Sequence, residues 1–318
     1  MLKTLLAAGA ALLLAGAPAL AQDRITVYTA GPANLIERLA EGFTAQTGIA
    51  VDVFQATTGQ VMARIEAEAA NPVVDVVISA SWETAEDFES RGWTVAYTSP
   101  NAETVPDFLK TEHAVAQGVS ALALVWNSRS GTPRPADWSD LADEAFRDLV
   151  TMPDPAQSGS AFELVAALAA AQGGMDLFER LAENGLEVPG ANAQALNPVL
   201  QGAKAAVFGA VDYIAMGRAA AGETVEVIFP ASGTVIAPRP MMITSWARNR
   251  AGAEAFVDYV LSDEGQAMVA DVFMIPARSD IAADRPLMAD LALVELDTQA
   301  AYAAREEILR DFRAALGQ

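Results

Sequence analysis

The fold is decided by residues 24–55, which read RITVYTAGPANLIERLAEGFTAQTGIAVDVFQ. The β-favouring run at 25–28 predicts a buried strand. Pro32 then opens a helix, because proline is well suited to the first helical turn. A second strand is predicted at 49–54, so the segment forms one strand–helix–strand unit. The apolar residues of the predicted helix share one face, and they are Leu35, Ile36, Leu39 and Phe43.

The same unit recurs along the chain. Strands alternate with stretches of helical apolar spacing, which is typical of an α/β fold in which a mostly parallel sheet is flanked by helices. Two longer β-favouring runs, 115–126 and 235–246, interrupt the alternation. The first leads into a segment rich in Gly, Pro and Ser, as expected where a chain passes from one lobe to another. The remaining strands are predicted at 73–78, 149–152, 205–208 and 225–229.

The N-terminus is typical of a secretory signal peptide. Lys3 precedes an apolar run at 5–14, and the small-residue exit at 19–21 predicts cleavage after Ala21. The run is shorter than the ~20 residues that a membrane-spanning helix needs, so a retained anchor or a buried helix fits less well. We expect residues 1–21 to be removed and the mature protein to be exported and soluble. The chain contains no cysteine, which excludes disulfides and a lipid-modified thiol.

The chain is strongly acidic, with a formal net charge of −21 over 318 residues. Nucleic acids and anionic lipid surfaces are bound through basic patches. This sequence has no such patch, so both are excluded as partners. A well-solvated surface explains most of the charge. An anionic ligand would therefore have to be held by local groups rather than by the overall field.

Four predicted turns carry small, hydroxyl-bearing residues between a strand and the next helix. In open parallel sheets ligands bind at the carboxyl ends of the strands, where helix N-termini present free N–H groups and about half a positive charge. Such turns could hold a phosphate-sized anion without any Lys or Arg. The candidate residues are Thr29 and Gly31; Thr57, Thr58 and Gly59; Ser79 and Ser81; and Ser158, Gly159 and Ser160.

Each of these turns also has an ordinary explanation. The patterns Thr57-x-x-Gln60 and Ser160-x-x-Glu163 both fit a capping box, in which the helix itself uses the hydroxyl. A cap is the more common role for any one such turn. Only the recurrence of the pattern favours a binding site.

Asp212 and Tyr213 follow another predicted strand. A carboxylate and a phenol at such a junction could receive an amine or hydroxyls, or could bind a metal. Equally, Asp212 could cap its helix while Tyr213 packs in the core. Trp82 follows one of the candidate turns and could form a wall of the same cleft, although packing explains a Trp there as well.

Catalytic patterns are weak in this sequence. His113 is the only histidine and cysteine is absent. No Gly-x-Ser-x-Gly, His-Glu-x-x-His, Walker or dinucleotide-binding motif occurs. We therefore expect a protein that is not an enzyme and that carries no cofactor and no bound metal.

Five segments carry a family resemblance, and they are Ile25-Thr-Val-Tyr-Thr29, Phe43-x-x-x-Thr-Gly48, Asp75-Val-Val-Ile-Ser79, Phe229-Pro-x-x-Gly-Thr234 and the stretch 255–266. They resemble the periplasmic solute-binding proteins of ABC importers, in the family that includes ferric-iron, thiamine, hexose-phosphate and 2-aminoethylphosphonate binders. The resemblance implies the type 2 periplasmic binding fold, with two lobes joined by two crossover segments. Lobe 1 would comprise 22–122 and 235–318, and lobe 2 would comprise 123–234.

The resemblance to ferric binders is incomplete. Those proteins place adjacent tyrosines, with further His or acidic ligands, on the iron, whereas the matching segment here offers only Asp212 and Tyr213, and His113 lies away from the first strand. The branch that resembles phosphate- and phosphonate-ester binders uses Ser, Thr and N–H groups at helix ends, as at 57–59 and 158–160. This implies that Asp212 faces an ammonium group or sugar hydroxyls at the far end of the ligand.

The expected function is capture of a small phosphorylated or phosphonate-type anion, such as 2-aminoethylphosphonate or a sugar phosphate. A monomer would close its two lobes on this solute in the periplasm and deliver it to an ABC permease in the inner membrane. Two alternatives stay open. One is a ferric-iron binder whose ligand set is completed by a carried anion, and the remote one is a secreted enzyme that acts on phosphoesters through Asp154 or Asp212.

Overall fold

The computed structural model describes residues 24–171 and 174–318, so the predicted signal peptide at 1–21 lies outside the described residues. The strands of these two ranges are β1 (Arg24–Thr29), β2 (Ala50–Gln55), β3 (Val76–Ile78), β4 (Val115–Asn127), β5 (Val150–Pro153), β6 (Glu187–Gly190), β7 (Ala206–Val211), β8 (Val225–Ile228), β9 (Ile236–Ile243) and β10 (Ile275–Pro276). The α-helices are α1 (Ala33–Thr47), α2 (Thr58–Ala67), α3 (Glu83–Ser90), α4 (Gly159–Ala171), α5 (Asp176–Glu183), α6 (Asn192–Leu200), α7 (Asp212–Ala220), α8 (Arg250–Val260), α9 (Asp263–Asp271), α10 (Thr298–Ala303) and α11 (Arg305–Ala315).

Parallel pairing holds the strands at both ends of the sheet. β1 pairs with β2 and β3, and β5 pairs with β6 and β7, all in parallel. The strand order is β2-β1-β3-β9-β4-β7-β5-β6, with β8 and β10 also paired to β4. The predicted α/β class, with parallel strands and flanking helices, is therefore confirmed. The complete sheet is mixed, because the two central strands run antiparallel to their neighbours.

Helix α1 shows why the local sequence pattern was sufficient for the fold. The four apolar residues of its predicted face are all buried. The rings of Phe43 and Phe256 pack edge to face, with their centroids 5.3 Å apart. Gly48 ends the helix in the left-handed conformation, at φ 75°, which glycine adopts without steric cost.

Strands β4 and β9 join the two parallel groups. Residues 115–121 of β4 pair with β9, whereas residues 122–127 pair with β7 and β8. These two strands are the long β-favouring runs of the sequence. The predicted lobe boundary at 122/123 lies one residue after this change of partner, and the boundary at 234/235 lies just before β9. The division of the chain into these two lobes stays a prediction.

Helices α10 and α11 span both parallel groups. α10 packs against α3 and α4, and α11 packs against α4 and α5. Arg305 forms an ion pair with Glu83 of α3 and lies 4.5 Å over the ring of Phe162 in α4. The rings of Phe312 in α11 and Phe178 in α5 pack edge to face, with their centroids 5.3 Å apart. The sequence assigns residues 235–318 to lobe 1 and leaves open whether the C-terminal helices also bridge to the other lobe.

No single helix in the described ranges is long and apolar enough to cross a membrane. Helices α4 and α5 reach the required length and composition only as a bent pair. Most of α4 is buried inside the protein.

Replacing Arg305 by Met should weaken the attachment of the C-terminal helices, since Met keeps an apolar stem but leaves the Glu83 carboxylate without its cation. An unpaired, largely buried polar group costs roughly 1–3 kcal/mol, and we expect the free energy of unfolding in urea to fall by about that amount. Arg310→Met on the same helix is the control, because the Arg310 side chain is 67% exposed. Equal losses in the two variants would contradict the bridging role.

Candidate functional site

A cavity of about 770 Å³ lies at the carboxyl ends of the parallel strands. Most of its lining comes from the segments that follow β1, β2 and β3 and from those that follow β5, β6 and β7, and the end of α9 adds residues 271–273. The volume falls within the range of roughly 300–1,000 Å³ that is usual for small-molecule sites. Both parallel groups therefore contribute to one cleft, at the position where open parallel sheets bind ligands.

Two helices begin at this cavity without a side-chain cap. The residue before α1 is Pro32 and the residue before α6 is Ala191, and neither side chain accepts a hydrogen bond from the first-turn N–H groups. Asn34 of α1 and Gln194 of α6 line the cavity. The positive ends of both helices are thus available to an anion.

Part of the predicted site lines this cavity, and the rest lies behind it. Thr29 Oγ1 accepts a hydrogen bond from the Gly31 N–H at 2.9 Å, so that its hydroxyl shapes the turn from within. Gly59 and Gly159 line a second cavity of about 570 Å³, next to α10 and α11. The predicted residues that line the main cavity are Gly31, Thr57, Thr58, Ser158 and Tyr213.

The hydroxyls of two buried serines are positioned by other protein groups. Ser79 Oγ lies 2.7 Å from Thr84 Oγ1 and accepts a hydrogen bond from the Ser81 N–H. Ser160 Oγ lies 3.2 Å from Ser158 Oγ. Ser79, Ser81 and Ser160 are thus outside the cavity lining, as is Trp82, which is buried.

The two predicted capping boxes have different outcomes. At Thr57 the box is present, since its Oγ1 accepts from the Gln60 N–H and the Gln60 side chain accepts from the Thr57 N–H. The box predicted at Ser160 is wrong. Glu163 instead accepts a hydrogen bond from the Trp82 N–H at 2.6 Å, and the Ala161 N–H is bonded by Ser158 Oγ, at 3.3 Å.

Asp212 is fully buried, and each of its carboxylate oxygens has a partner in the protein. Its Oδ2 forms an ion pair with Arg285 at 2.6 Å, and its Oδ1 accepts from the Tyr213 N–H at 2.8 Å. Burial raises the pKa of Asp212, and the Arg285 charge works in the opposite direction. Asp212 is absent from the cavity lining, so the contact with a solute ammonium that the resemblance implied has no support in this geometry.

Arg239 is a candidate site residue that the sequence analysis missed. It is 1% exposed and lies in β9, where its Nη1 donates to the Ala30 carbonyl at 3.1 Å and its Nη2 donates to the Tyr213 hydroxyl at 3.2 Å. Both Ala30 and Tyr213 line the cavity. The available signal was a single basic residue inside the apolar run 235–246.

The charges of the lining residues favour an anion. Arg218 of α7 lines the cavity and makes no ion pair within the described part of the chain. Asp271, the acidic residue of the lining, is paired with Arg38 at 2.7 Å. Together with the nearby Arg239, these groups give the cleft a local positive excess in an otherwise acidic protein.

Two buried polar atoms of the cavity lining have no hydrogen-bond partner within the described residues. They are Thr58 Oγ1 and Asn192 Oδ1. Buried polar groups are normally paired, so these two atoms are available to a solute. Within 24–171 and 174–318, no group of three or more His, Asp or Glu residues could hold a metal ion.

Comparison with known proteins identifies the family. The sequence profile described as bacterial extracellular solute-binding protein matches residues 71–298. The chain belongs to this family. It is a periplasmic solute-binding protein of an ABC importer, and its family comprises binding proteins rather than enzymes.

Relatives of this solute-binding protein differ in what they are named for. The iron uptake protein A1 of Synechocystis is 27% identical over 272 residues, which cover 78% of this chain and 74% of that protein. A putative 2-aminoethylphosphonate-binding periplasmic protein of Salmonella typhimurium is 24% identical over 287 residues, which cover 84% of this chain and 83% of that protein. The periplasmic binding protein AfuA from Actinobacillus pleuropneumoniae was solved with exogenous fructose-6-phosphate. It superposes with a TM-score of 0.84 at 21% identity, over 92% of this chain and 98% of AfuA. That structural match confirms the two-lobed fold.

Glu163 joins the two halves of the solute-binding protein behind the cavity. Its carboxylate accepts from the N–H of Trp82, which comes just before α3. Close approach makes this contact possible, because a Cβ at Gly159 would lie only 2.7 Å from the Ser81 Cβ. Burial raises the pKa of Glu163 to about 8, although the Trp82 N–H lowers it.

Glu163 should make stability depend on pH. The folded protein keeps a proton on Glu163 that the unfolded chain releases at the ordinary value of 4.5. The free energy of unfolding should therefore decline as pH rises from about 4.5 towards about 8. Glu163→Gln cannot ionise and should show a shallower decline in the urea midpoint across that window. Glu37→Gln, on the exposed face of α1, serves as control, and parallel curves for wild type and Glu163→Gln would refute the assignment.

Proposed function

We propose that this solute-binding protein captures a small phosphorylated or phosphonate-type anion by closing its two lobes around it. The observation that carries the proposal is the cavity itself. It is lined by the uncapped starts of α1 and α6, has Arg218 in its lining, and has Arg239 directly behind Tyr213. These groups supply hydrogen-bond donors and positive charge at the same place.

Short-range electrostatics explain how an acidic protein can bind an anion. Charges that lie farther than ~8 Å from the solute are screened at physiological salt, so the net charge of −21 has little influence inside the cleft. A helix start contributes about half a positive charge. Arg239 adds a full charge in a buried setting, where screening is weak.

Ferric iron fits this cavity less well. Of the tyrosines, Tyr213 alone lines the cavity of the described chain. Iron would need it as a phenolate, but burial raises the pKa of Tyr213. A trivalent cation also prefers several anionic oxygen ligands, and the acidic residue of the lining, Asp271, is held by Arg38.

Lobe closure would couple capture to transport. The proposed solute would stabilise the closed arrangement of the lobes through its contacts with both halves of the cavity, and the inner-membrane permease would receive this state. Export through the signal peptide at 1–21, action as a monomer, and the absence of catalysis, cofactor and resident metal are parts of the same proposal.

Arg218→Gln should reduce affinity for the anion. Hydrogen bonds to charged groups contribute about 1.5–3 kcal/mol, so the dissociation constant should rise by about tenfold or more. Isothermal titration of the mature protein with inorganic phosphate, 2-aminoethylphosphonate and a hexose phosphate measures this. Arg129→Gln is the matched control, since Arg129 is exposed and lies outside the cavity lining.

The same preparation tests the alternatives. Stabilisation by ferric citrate alone, with a visible charge-transfer band that disappears in Tyr213→Phe, would replace the anion proposal by iron binding. Turnover of a phosphoester by the purified protein would establish the enzyme alternative. Unchanged anion binding in Arg218→Gln would remove Arg218 from the site.

A further inference from the structure

Arg239 is a buried cation without a carboxylate partner. Its guanidinium donates to the Ala30 carbonyl and to the Tyr213 hydroxyl, and its Nε has no hydrogen-bond partner. Among residues 24–171 and 174–318, no carboxylate forms an ion pair with Arg239. A buried charge without a counter-charge is unfavourable. A negative charge that comes close to Arg239 would therefore stabilise it.

Glu163 is a buried carboxyl group whose helix packs against the strand that carries Arg239. Contacts join α4 to β9. Glu163 Oε1 accepts from the Trp82 N–H, whereas its Oε2 is buried without a hydrogen-bond partner. Burial raises the pKa of Glu163, and the charge of Arg239 lowers it. The two groups therefore interact through the protein interior, although no hydrogen bond or ion pair joins them.

The other charged groups around Glu163 have partners of their own. Glu83 of α3 also raises the pKa of Glu163, but Glu83 is paired with Arg305 of α11. Tyr302 of α10 donates to Asp87. Strands β4 and β7, which also pack against α4, contain no charged residue. The guanidinium in β9 is therefore the cation whose charge the Glu163 carboxylate can offset.

The protonation of Glu163 sets the net charge behind the cavity. Asp212 and Arg285 form a buried ion pair there, so their charges offset each other. When Glu163 carries a proton, the charge of Arg239 is unbalanced and attracts an anion in the cavity. When Glu163 is ionised, its carboxylate offsets Arg239 and the attraction is weaker. Salt in the solvent screens such buried charges only slightly.

We infer, on the basis of the proposed anion function, that Glu163 sets the affinity of the cleft for anions by acting through Arg239. The solute and the Glu163 carboxylate compete for the same buried positive charge. An anion that enters the cavity therefore favours protonated Glu163, and the carboxylate takes up a proton from the solvent as the anion binds.

The direction of the pH effect follows from this competition. Below a pH of about 8, Glu163 is already protonated in the protein without solute, so binding takes up little proton and affinity depends little on Glu163. Above that pH, Glu163 must be protonated when the anion binds. Since the complex then holds more protons than the free protein, affinity falls as pH rises.

The pH profile of anion affinity tests the inference. Isothermal titration of the full mature protein with inorganic phosphate and with a hexose phosphate is carried out at about pH 7 and about pH 9.5. The dissociation constant of the wild type should rise at least about threefold more than that of Glu163→Gln. The amide cannot ionise but keeps an acceptor for the Trp82 N–H, and ionisation of the phosphate group affects both proteins equally. Glu37→Gln is the control and should follow the wild type.

Proton uptake provides a second measurement. Titration with phosphate at about pH 8.5, in buffers of different ionisation enthalpy, should show uptake of about 0.3 proton or more per bound anion in the wild type and close to none in Glu163→Gln. If Glu163→Gln does not fold, an uptake near zero in the wild type still overturns the inference. Parallel pH profiles, or equal uptake in both proteins, would overturn it and leave anion capture intact. Failure of phosphate, 2-aminoethylphosphonate and the hexose phosphate to bind at either pH would overturn the proposed function as well.

Discussion

The parallel strands determine where the proposed anion site of this acidic protein lies. Because β1 and β6 deliver their following helices at one edge of the sheet, the uncapped starts of α1 and α6 converge on the same cavity. Arg239 depends on the same arrangement. It reaches from β9 to the turn after β1 and to the start of α7, so one guanidinium contacts both parallel groups. The site would not exist if the strands ran in alternating directions.

Local patterns predicted the fold and part of the site. Helical spacing placed the buried face of α1 correctly, and the glycine and hydroxyl residues after the strands led to Gly31, Thr58 and Ser158. The failures have tertiary causes. Asp212 forms its ion pair with Arg285, which lies 73 residues later in the chain. No local spacing reveals such a pair. The same limit applies to Glu163, whose partner Trp82 lies in the other parallel group.

Contact between the two halves of the molecule is built from small residues and one carboxylate. Gly159 allows the start of α4 to approach the turn after β3 so closely that a side chain would collide with Ser81. Glu163 then satisfies the Trp82 N–H at the start of α3. The C-terminal helices add a second connection through Arg305, on the side of the smaller cavity. The relative position of the two halves is therefore set by contacts that lie next to the cavity and leave its lining residues accessible.

Buried polar groups without partners bear on which solutes the proposed site would favour. An unsatisfied buried polar atom costs roughly 1–3 kcal/mol. Thr58 Oγ1 and Asn192 Oδ1 in the cavity lining, and Arg239 Nε behind it, are in this condition. Surrounding contacts fix two of these groups: Ser158 orients Asn192, and Tyr213 and Ala30 orient Arg239. A solute that supplies both donors and acceptors at these atoms recovers free energy that the folded chain alone cannot. A purely apolar molecule recovers none of it, so the unmet bonds favour a polar solute.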